Sequence, residues 1–198
     1  MNLKLRALEP NDLELVYEVE NDKSLWIYSN TSSPFSRHSL KKFIENSHLD
    51  IIEHKQLRLV ISDETNSYGF IDFYDYDFIN RRVGVGILIF KEHRSKGIGS
   101  TSLQLAENHL IDHVPIHQLY ANISNSNTKS ILLFEKNGYI RVGLKKDWIF
   151  YNNKFNDELY TAEPELIITE PVTVKLPVIF SVPINVFEPV VAKPKFVP

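Results

Sequence analysis

The sequence contains no cysteine among its 198 residues. Disulfide bonds, thiolate metal sites and a cysteine nucleophile are therefore excluded. No apolar run approaches the roughly 20 residues that span a bilayer, and the first residues lack the apolar stretch of a secretory signal. The net charge of -3 gives no basic excess of the kind that nucleic-acid-binding proteins carry. We expect a cytoplasmic protein with no nucleic-acid partner, no membrane span and no metal site.

Two regions of the chain differ in composition. Residues 1–162 alternate strand-like and helix-like segments, and we interpret them as one domain. Residues 163–198 are rich in proline and valine and contain no glycine. Because frequent proline prevents helix formation and limits strand pairing, we expect this tail to be extended. It would lie in a surface groove of this chain or of a second copy, where it could contribute to a homo-oligomer.

The first region predicts an α/β fold built on a mixed (α+β) sheet. Its elements follow in the order β-α-α-β-β-β-α-β-α-β-β, so hairpins alternate with helical crossovers. A sheet with both kinds of connection contains parallel and antiparallel pairs. We expect a central twisted sheet of about seven strands flanked by about four helices, ending in a hairpin turned at Asn152 and Asn153.

The junction between the fourth strand and the third helix carries the clearest functional signal. Two glycines one residue apart let the backbone approach a ligand closely, and the first turn of the helix offers unpaired N–H groups and a positive dipole end. Together these features suit a pyrophosphate. The spacing is not that of a Walker A loop, and position 102 is serine where a dinucleotide fingerprint needs a third glycine. The candidate residues are Arg94, Ser95, Lys96, Gly97, Ile98, Gly99 and Ser100.

The pattern R-x-x-G-x-G after a strand and at the start of a helix resembles the pyrophosphate motif of the GNAT superfamily. The opening residues 5–13, the early Trp26 and the block from Asn127 to Tyr139 are also similar to that family. The similarity covers about residues 3–162 and is greatest to the branch of ribosomal-protein and spermidine N-acetyltransferases. It implies a GNAT-like fold and an acyl-CoA-dependent N-acetyltransferase that uses acetyl-CoA as co-substrate.

The resemblance also implies how acetyl-CoA would bind. In the family, the strand before the phosphate loop splays from its neighbour, and the pantetheine arm inserts there like an extra strand. Carried over, the backbones of Ile87, Leu88 and Ile89 would pair with it. The Ile89 N–H would stabilise the developing oxyanion during direct attack by a primary amine. Further cofactor contacts are implied for Asn127, Ser130 and Phe134; Asn127 also suits a helix N-cap.

One residue departs from the family pattern. The family places a tyrosine in its second block as proton donor to the leaving sulfur, and the matching residue here is Phe134. Phenylalanine donates no proton, so the thiolate leaves unassisted, water serves, or another hydroxyl reaches the site. Tyr120 and Tyr139 are candidates for that hydroxyl. Tyrosines also serve as packing residues, which is the alternative for both.

Acidic and aromatic residues mark the candidate acceptor site. Asp72 and Asp75 lie among tyrosines at the end of the third strand, and such groups suit a cationic amine through charge pairing and cation–π contact. We expect Asp75 to serve in catalysis as well, with Trp26 and Tyr28 as further substrate contacts. The spermidine branch carries two glutamates after its early tryptophan, whereas residues 27–33 here contain no acid.

Two hypotheses follow. The first is an enzyme that transfers the acetyl group of acetyl-CoA to a small-molecule amine or a protein N-terminal amine. The second is a catalytically idle protein of the same fold that binds acyl-CoA as a sensor or an interaction partner. Phe134 and the missing acids after Trp26 keep this alternative open.

Overall fold

The structure is a computed structural model that describes residues 2–29, 31–47 and 51–163. The predicted tail from residue 164 onward lies outside the described residues. Within the described part the sheet has seven strands, which confirms the predicted number. The strands are β1 (Lys4–Ala7), β2 (Gln56–Ser62), β3 (Ser67–Asp77), β4 (Arg82–Ile89), β5 (Gln118–Ser124), β6 (Ile140–Tyr151) and β7 (Lys154–Ala162).

The helices include the four that the sequence predicts. These are α1 (Leu13–Glu20), α3 (Arg37–Glu45), α5 (Ile98–His113) and α6 (Thr128–Lys136). Two more, α2 (Trp26–Ser29) and α4 (Ile51–His54), have a single turn. The sequence pattern predicts neither, because four residues are too few to show a helical period.

Side-chain caps fix two of the helix starts. The Ser36 hydroxyl accepts a hydrogen bond from the Ser39 N–H at the start of α3. The Asn127 side chain does the same for the Ser130 N–H at the start of α6, at 3.2 Å. Each bond satisfies one of the N–H groups that a helix leaves unpaired in its first turn. The capping role weighed for Asn127 is therefore observed.

The sheet is mixed, as predicted. The strands lie in the order β1-β2-β3-β4-β5-β7-β6, with β4 and β5 parallel and the other neighbours antiparallel. The chain crosses from β4 to β5 through α5, which is long enough to connect parallel strands. The parallel pair lies near the middle of the sheet, and the candidate active site is built there.

The two faces of the sheet bury two different clusters of apolar side chains. One face packs against α5 and α6 in a core that includes Phe73, Leu103 and Phe134. The other packs α1 and α3 onto β2 and β3 through a smaller cluster that includes Val16, Leu40 and Phe70. On this second face the helices of the smaller cluster cover only part of the sheet, and the polar residues of the candidate site lie on the remainder.

Candidate active site

Strands β4 and β5 part after three paired residues. Pairing runs from Arg82 opposite Gln118 to Gly84 opposite Tyr120, whereas β4 continues to Ile89 and β5 to Ser124. Beyond Gly84, β4 stays paired with β3, and β5 stays paired with β7. The two strands therefore leave a gap between them, with strand backbone on both sides.

The direction of the backbone groups along this gap follows from one hydrogen bond. The Phe90 N–H donates to the Tyr68 carbonyl of β3 at 2.9 Å. Successive residues of a strand point their N–H and C=O groups to opposite sides. The backbones of Ile87 and Ile89 therefore face the gap. The backbone of Leu88 faces β3 instead, so this residue is not placed to pair with a ligand in the gap.

Tyr74 closes the narrow end of the gap. Its ring covers Gly84, where an added Cβ would lie 2.2 Å from the ring, so only glycine fits beneath it. Its hydroxyl accepts a hydrogen bond of 3.3 Å from the Asn122 N–H of β5. Burial raises the pKa of Tyr74, so the phenol keeps its proton at neutral pH. From the sequence, Tyr74 was expected only among the tyrosines around Asp72 and Asp75, because the rotamer that turns it into the gap depends on the tertiary packing.

The predicted phosphate loop follows directly after β4. Gly97 begins α5 with a φ of 82°, in the left-handed region, and no side chain caps the helix. The first N–H that returns into the helix is that of Thr101, which donates to the Gly97 carbonyl at 3.3 Å. The preceding N–H groups, those of Ile98, Gly99 and Ser100, have no acceptor within the helix. The loop thus has the backbone features that the sequence predicts for an anion site.

Two basic residues accompany this loop. Arg94 folds back, and its Nε donates to the Ile89 carbonyl at 2.8 Å, beside the open side of β4. Lys96 is exposed, and Ser95 adopts a φ of 61°. The Ser100 hydroxyl accepts a hydrogen bond of 3.1 Å from the Asn137 side chain. That bond joins the start of α5 to the end of α6.

Phe134 does not reach solvent. It is 1% exposed and meets the ring of Tyr139 edge to face at 4.9 Å. Burial raises the pKa of Tyr139, and its hydroxyl has no hydrogen-bond partner among the described residues. Tyr139 packs with Phe134 in the core on the α5 side of the sheet, which leaves Tyr120 as the better placed of the two hydroxyls considered from the sequence.

Tyr120 lies on the opposite face with two other tyrosines. Its ring stacks on Tyr160 at 5.3 Å and meets Tyr74 edge to face at 6.0 Å. Burial raises the pKa of Tyr120 to about 12, and Tyr74 and Asp75 act in the same direction. Asp75 is exposed at an irregularity in β3, with a φ of 53°. Tyr120 thus lies where the gap begins, opposite Gly84, and the catalytic role predicted for Asp75 stays a prediction.

The predicted acceptor-binding residues do not share one cavity. Trp26 lines a cavity of about 230 Å³ between α2 and the end of β6. Tyr28 does not line it and is 50% exposed. Asp75 lines a separate depression beside α4. The described residues around the first cavity include no carboxylate and are Trp26, Ile27, Thr31, Ser32, Trp148, Ile149, Phe150 and Tyr151.

Asp72 is already bound by a cation of the chain. Both of its carboxylate oxygens accept hydrogen bonds from the Arg58 guanidinium, at 2.6 and 3.1 Å. The same guanidinium also binds Glu20 of α1. This cluster ties α1 to β2 and β3. An acceptor amine at Asp72 would have to compete with a two-pronged arginine contact.

A second ion pair was not anticipated from the sequence. Lys145 of β6 binds Glu158 of β7 at 2.8 Å and the Asn122 side chain at 2.7 Å. Its ammonium lies 5.2 Å from the centre of the Trp148 ring and 5.9 Å from that of Tyr160. The sequence pattern predicted the β6–β7 hairpin. An irregular register between Lys145 and Ile149 determines that Lys145 lies opposite Glu158, and the pattern does not show this irregularity.

Comparison with known proteins identifies the family. Residues 2–140 match the family model described as the acetyltransferase (GNAT) domain. The chain therefore belongs to the GNAT acetyltransferase family. This membership, together with the relatives below, confirms the prediction of an acyl-CoA-dependent N-acetyltransferase, and transfer from acetyl-CoA to an amine is the general reaction of the family.

Within the family, the chain is similar to spermidine acetyltransferases. It is 25% identical to spermidine N(1)-acetyltransferase of Vibrio cholerae over 156 residues, and this alignment covers 78% of this chain and 88% of the relative. It is 24% identical over 161 residues to that of Escherichia coli K12, covering 80% and 83%. The solved Vibrio cholerae enzyme in complex with CoA and spermine has a TM-score of 0.74 at 24% identity, over 81% of this chain and 94% of that one. This last similarity shows the fold.

Among the described helices, none is long and apolar enough to cross a bilayer.

Proposed function

We propose that the chain transfers the acetyl group of acetyl-CoA directly to a primary amine, with both substrates bound at the gap between β4 and β5. The observation that carries this proposal is the end of strand pairing at Gly84 and Tyr120, next to the uncapped start of α5. An extended ligand in the gap would meet strand backbone that pairs with no neighbouring strand, and its anionic end would meet the N–H groups of the helix.

The residues of the chain fit acetyl-CoA. Ile87 and Ile89 turn their backbone groups to the gap, as the hydrogen bond of Phe90 implies. The left-handed Gly97 begins a helix whose first N–H groups lack internal acceptors, a site that suits a pyrophosphate. When bound, acetyl-CoA supplies the acetyl group as a reactive thioester. The Ile89 N–H would stabilise negative charge on its carbonyl oxygen.

Proton transfer is assigned to two neighbouring side chains of β3, Asp75 and Tyr74. The acceptor amine must lose a proton before it can react, and Asp75 is an exposed carboxylate next to Tyr74 in sequence. The leaving sulfur needs little help, since a thiol titrates near pH 8.5. Tyr74 holds its phenol at the narrow end of the gap, and Tyr120 lies beside it. We assign the proton donor to Tyr74, with Tyr120 as its neighbour.

The acceptor is proposed to be an amine with an apolar body. The spermidine acetyltransferases among the relatives support a small-molecule amine. The cavity of about 230 Å³ places Trp26 opposite Trp148, and α2 lies against β5. Aromatic walls favour an apolar group and also a cation. A protein N-terminal amine with an apolar first residue fits the same walls.

The idle alternative predicts binding without turnover. The test is to incubate the protein with acetyl-CoA and a panel of primary amines and to measure thiol release and the mass of the amines. This experiment distinguishes the transferase from the idle protein. We expect thiol release that depends on the amine and a gain of one acetyl group on the amine. Tight binding of acetyl-CoA by calorimetry, with no acetylated product from any amine, would favour the idle protein instead.

Self-association stays a prediction. A dodecameric structure is known for the spermidine N-acetyltransferase of Vibrio cholerae. The tail that we expect to contribute to an oligomer lies outside the described residues. Sedimentation of the full chain beside a chain ending at residue 163 measures its contribution.

A further inference from the structure

The ammonium of Lys145 lies in a cage that could hold a ligand cation. The Glu158 carboxylate and the Asn122 side-chain oxygen accept hydrogen bonds from Nζ, at 2.8 and 2.7 Å. The rings of Trp148 and Tyr160 lie 5.2 and 5.9 Å from the same atom. A carboxylate, an amide oxygen and two aromatic faces are the groups with which proteins bind amine cations.

The cage shares one residue with the cavity and contacts a residue at the start of the gap. Trp148 lines the cavity of about 230 Å³. Tyr160 stacks on Tyr120, which lies opposite Gly84 where the gap begins. An amine that places its reacting nitrogen at the gap and its body along this floor would bring its far end towards the cage.

Glu158 is the acid that would attract that far end. It is 5% exposed, and a carboxylate buried so deeply needs a positive partner. Lys145 supplies that partner from the chain itself. Asp72, another acid on this face, is bound by Arg58. A second ammonium brought by the acceptor would therefore find no free carboxylate in the cage and would be repelled by Lys145.

We propose that Lys145 determines acceptor specificity: it occupies the position of an acceptor's second ammonium and thereby restricts the site to monoamines. This proposal rests on the proposed acetyl transfer and narrows its substrate class. In this proposal, one lysine distinguishes the site from that of an enzyme that acetylates diamines and polyamines. Removing Lys145 would make Glu158 accessible to the second ammonium of such an acceptor. Specificity is then obtained by filling a subsite and not by reshaping it.

The test compares amines of equal length that differ by one charge. Butylamine is measured against 1,4-diaminobutane, and hexylamine against 1,6-diaminohexane, with kcat/KM from thiol release. The native protein should prefer the monoamine of each pair. Lys145→Ala should shift the preference towards the diamine by about tenfold or more, because a buried carboxylate becomes available.

Two variants serve as controls. Lys146→Ala removes the neighbouring lysine, whose ammonium binds Asp157 at 2.7 Å and is exposed, and should leave the preference unchanged. The double variant Lys145→Ala with Glu158→Gln removes the acid as well and should lose the diamine preference that Lys145→Ala gains. A diamine preference that persists in the double variant would contradict the role given to Glu158.

A second readout covers variants that fold poorly or turn over slowly. Lys145→Gln keeps a polar side chain near Asn122 and leaves Glu158 uncompensated. Thermal melting of both Lys145 variants without acetyl-CoA should show a larger rise of Tm with the diamine than with the monoamine, whereas the native protein should show no such difference. Native-like ratios and melting shifts in both variants would overturn the proposal. If no variant acetylates any amine, the transfer reaction fails, while the melting data still decide the subsite.

Discussion

Two ion clusters on the same face of the sheet differ in what surrounds them. Arg58 binds Glu20 and Asp72 beneath α1 and α3, and its guanidinium lies 5.3 Å from the ring of Phe70. Its side chain is 15% exposed. Lys145 binds Glu158 beside the acceptor cavity, and its side chain is 33% exposed. One cluster is covered by helices, and the other lies on the part of the face next to the gap.

The difference explains why one cation is arginine and the other lysine. A guanidinium contacts two carboxylates with fixed geometry, which suits a permanent link between α1 and the sheet. An ammonium is a compact charge on a flexible stem and resembles the amine that the family acetylates. We infer that the covered cluster maintains the fold and that the open cluster selects the acceptor.

The largest effect is expected from breaking the covered cluster. Arg58→Met leaves the partly buried Glu20 and Asp72 without their cation, and stability should fall by about 3 kcal/mol, the lower end of the range for fully buried ion pairs that lose one partner. Urea denaturation measures this loss. Arg141→Met is the control, since it removes an exposed arginine paired with Glu135 and should change little. Equal stability of the two variants would remove the structural role from the covered cluster.

A smaller effect, on turnover, is expected at Tyr74, which lies at the narrow end of the gap. Tyr74→Phe removes the phenol that we assign as proton donor, and kcat should fall about tenfold because the thiolate leaves moderately well unaided. Affinity for acetyl-CoA should remain. Tyr68→Phe, which removes a hydroxyl of the same strand that bonds Asp63, should keep its kcat. An unchanged kcat in Tyr74→Phe would transfer the role to Tyr120 or to water.

The smallest effect concerns the opposite face, where two partly buried acids, Glu107 and Glu163, form no ion pair with another described residue. Burial raises the pKa of Glu107 to about 7, with the charge of Glu163 acting in the same direction. The native state therefore binds this proton more tightly than the unfolded state, and stability falls as the pH rises from about 4.5 to about 7. With solvent screening the loss is on the order of 1 kcal/mol.

Glu107→Gln should flatten this part of the stability profile and raise stability at pH 8. Urea midpoints at pH 5 and pH 8 measure the change. Glu18→Gln, which alters an exposed carboxylate on α1, should keep the native profile. A Glu107→Gln profile as steep as the native one would place the titrating group elsewhere.

Much of the fold could be predicted because its signals are local. Alternating residues indicated the strands, the asparagine before α6 indicated a helix start, and Asn152 and Asn153 indicated the final turn. Both asparagines adopt positive φ values, 50° and 57°, as a tight hairpin turn requires. The phosphate loop was predictable for the same reason, since its glycines and the following helix are adjacent in sequence.

The acceptor side could not be predicted, because it depends on register and rotamers. A regular hairpin from the pair Tyr151 and Lys154 would place Lys145 opposite Tyr160, but irregularities place it opposite Glu158. Asp147, with a φ of 50°, lies within the irregular stretch. No local signal announces such a shift. Asp72 was expected to be free for a substrate. Its partner Arg58 lies opposite it on the neighbouring strand β2, and the sequence alone does not show which residues of the two strands face each other.

Binding of acetyl-CoA at the gap is the central claim, and calorimetry of two glycine variants tests it most directly. Gly97 and Gly138 both have positive φ, 82° and 95°, and open space around them, so Gly97→Val and Gly138→Val introduce comparable backbone strain. Only Gly97 lies at the start of α5. We predict that the native protein and Gly138→Val bind acetyl-CoA similarly, and that Gly97→Val binds about tenfold more weakly or worse. Native affinity in Gly97→Val, or no binding by the native protein, would contradict the account.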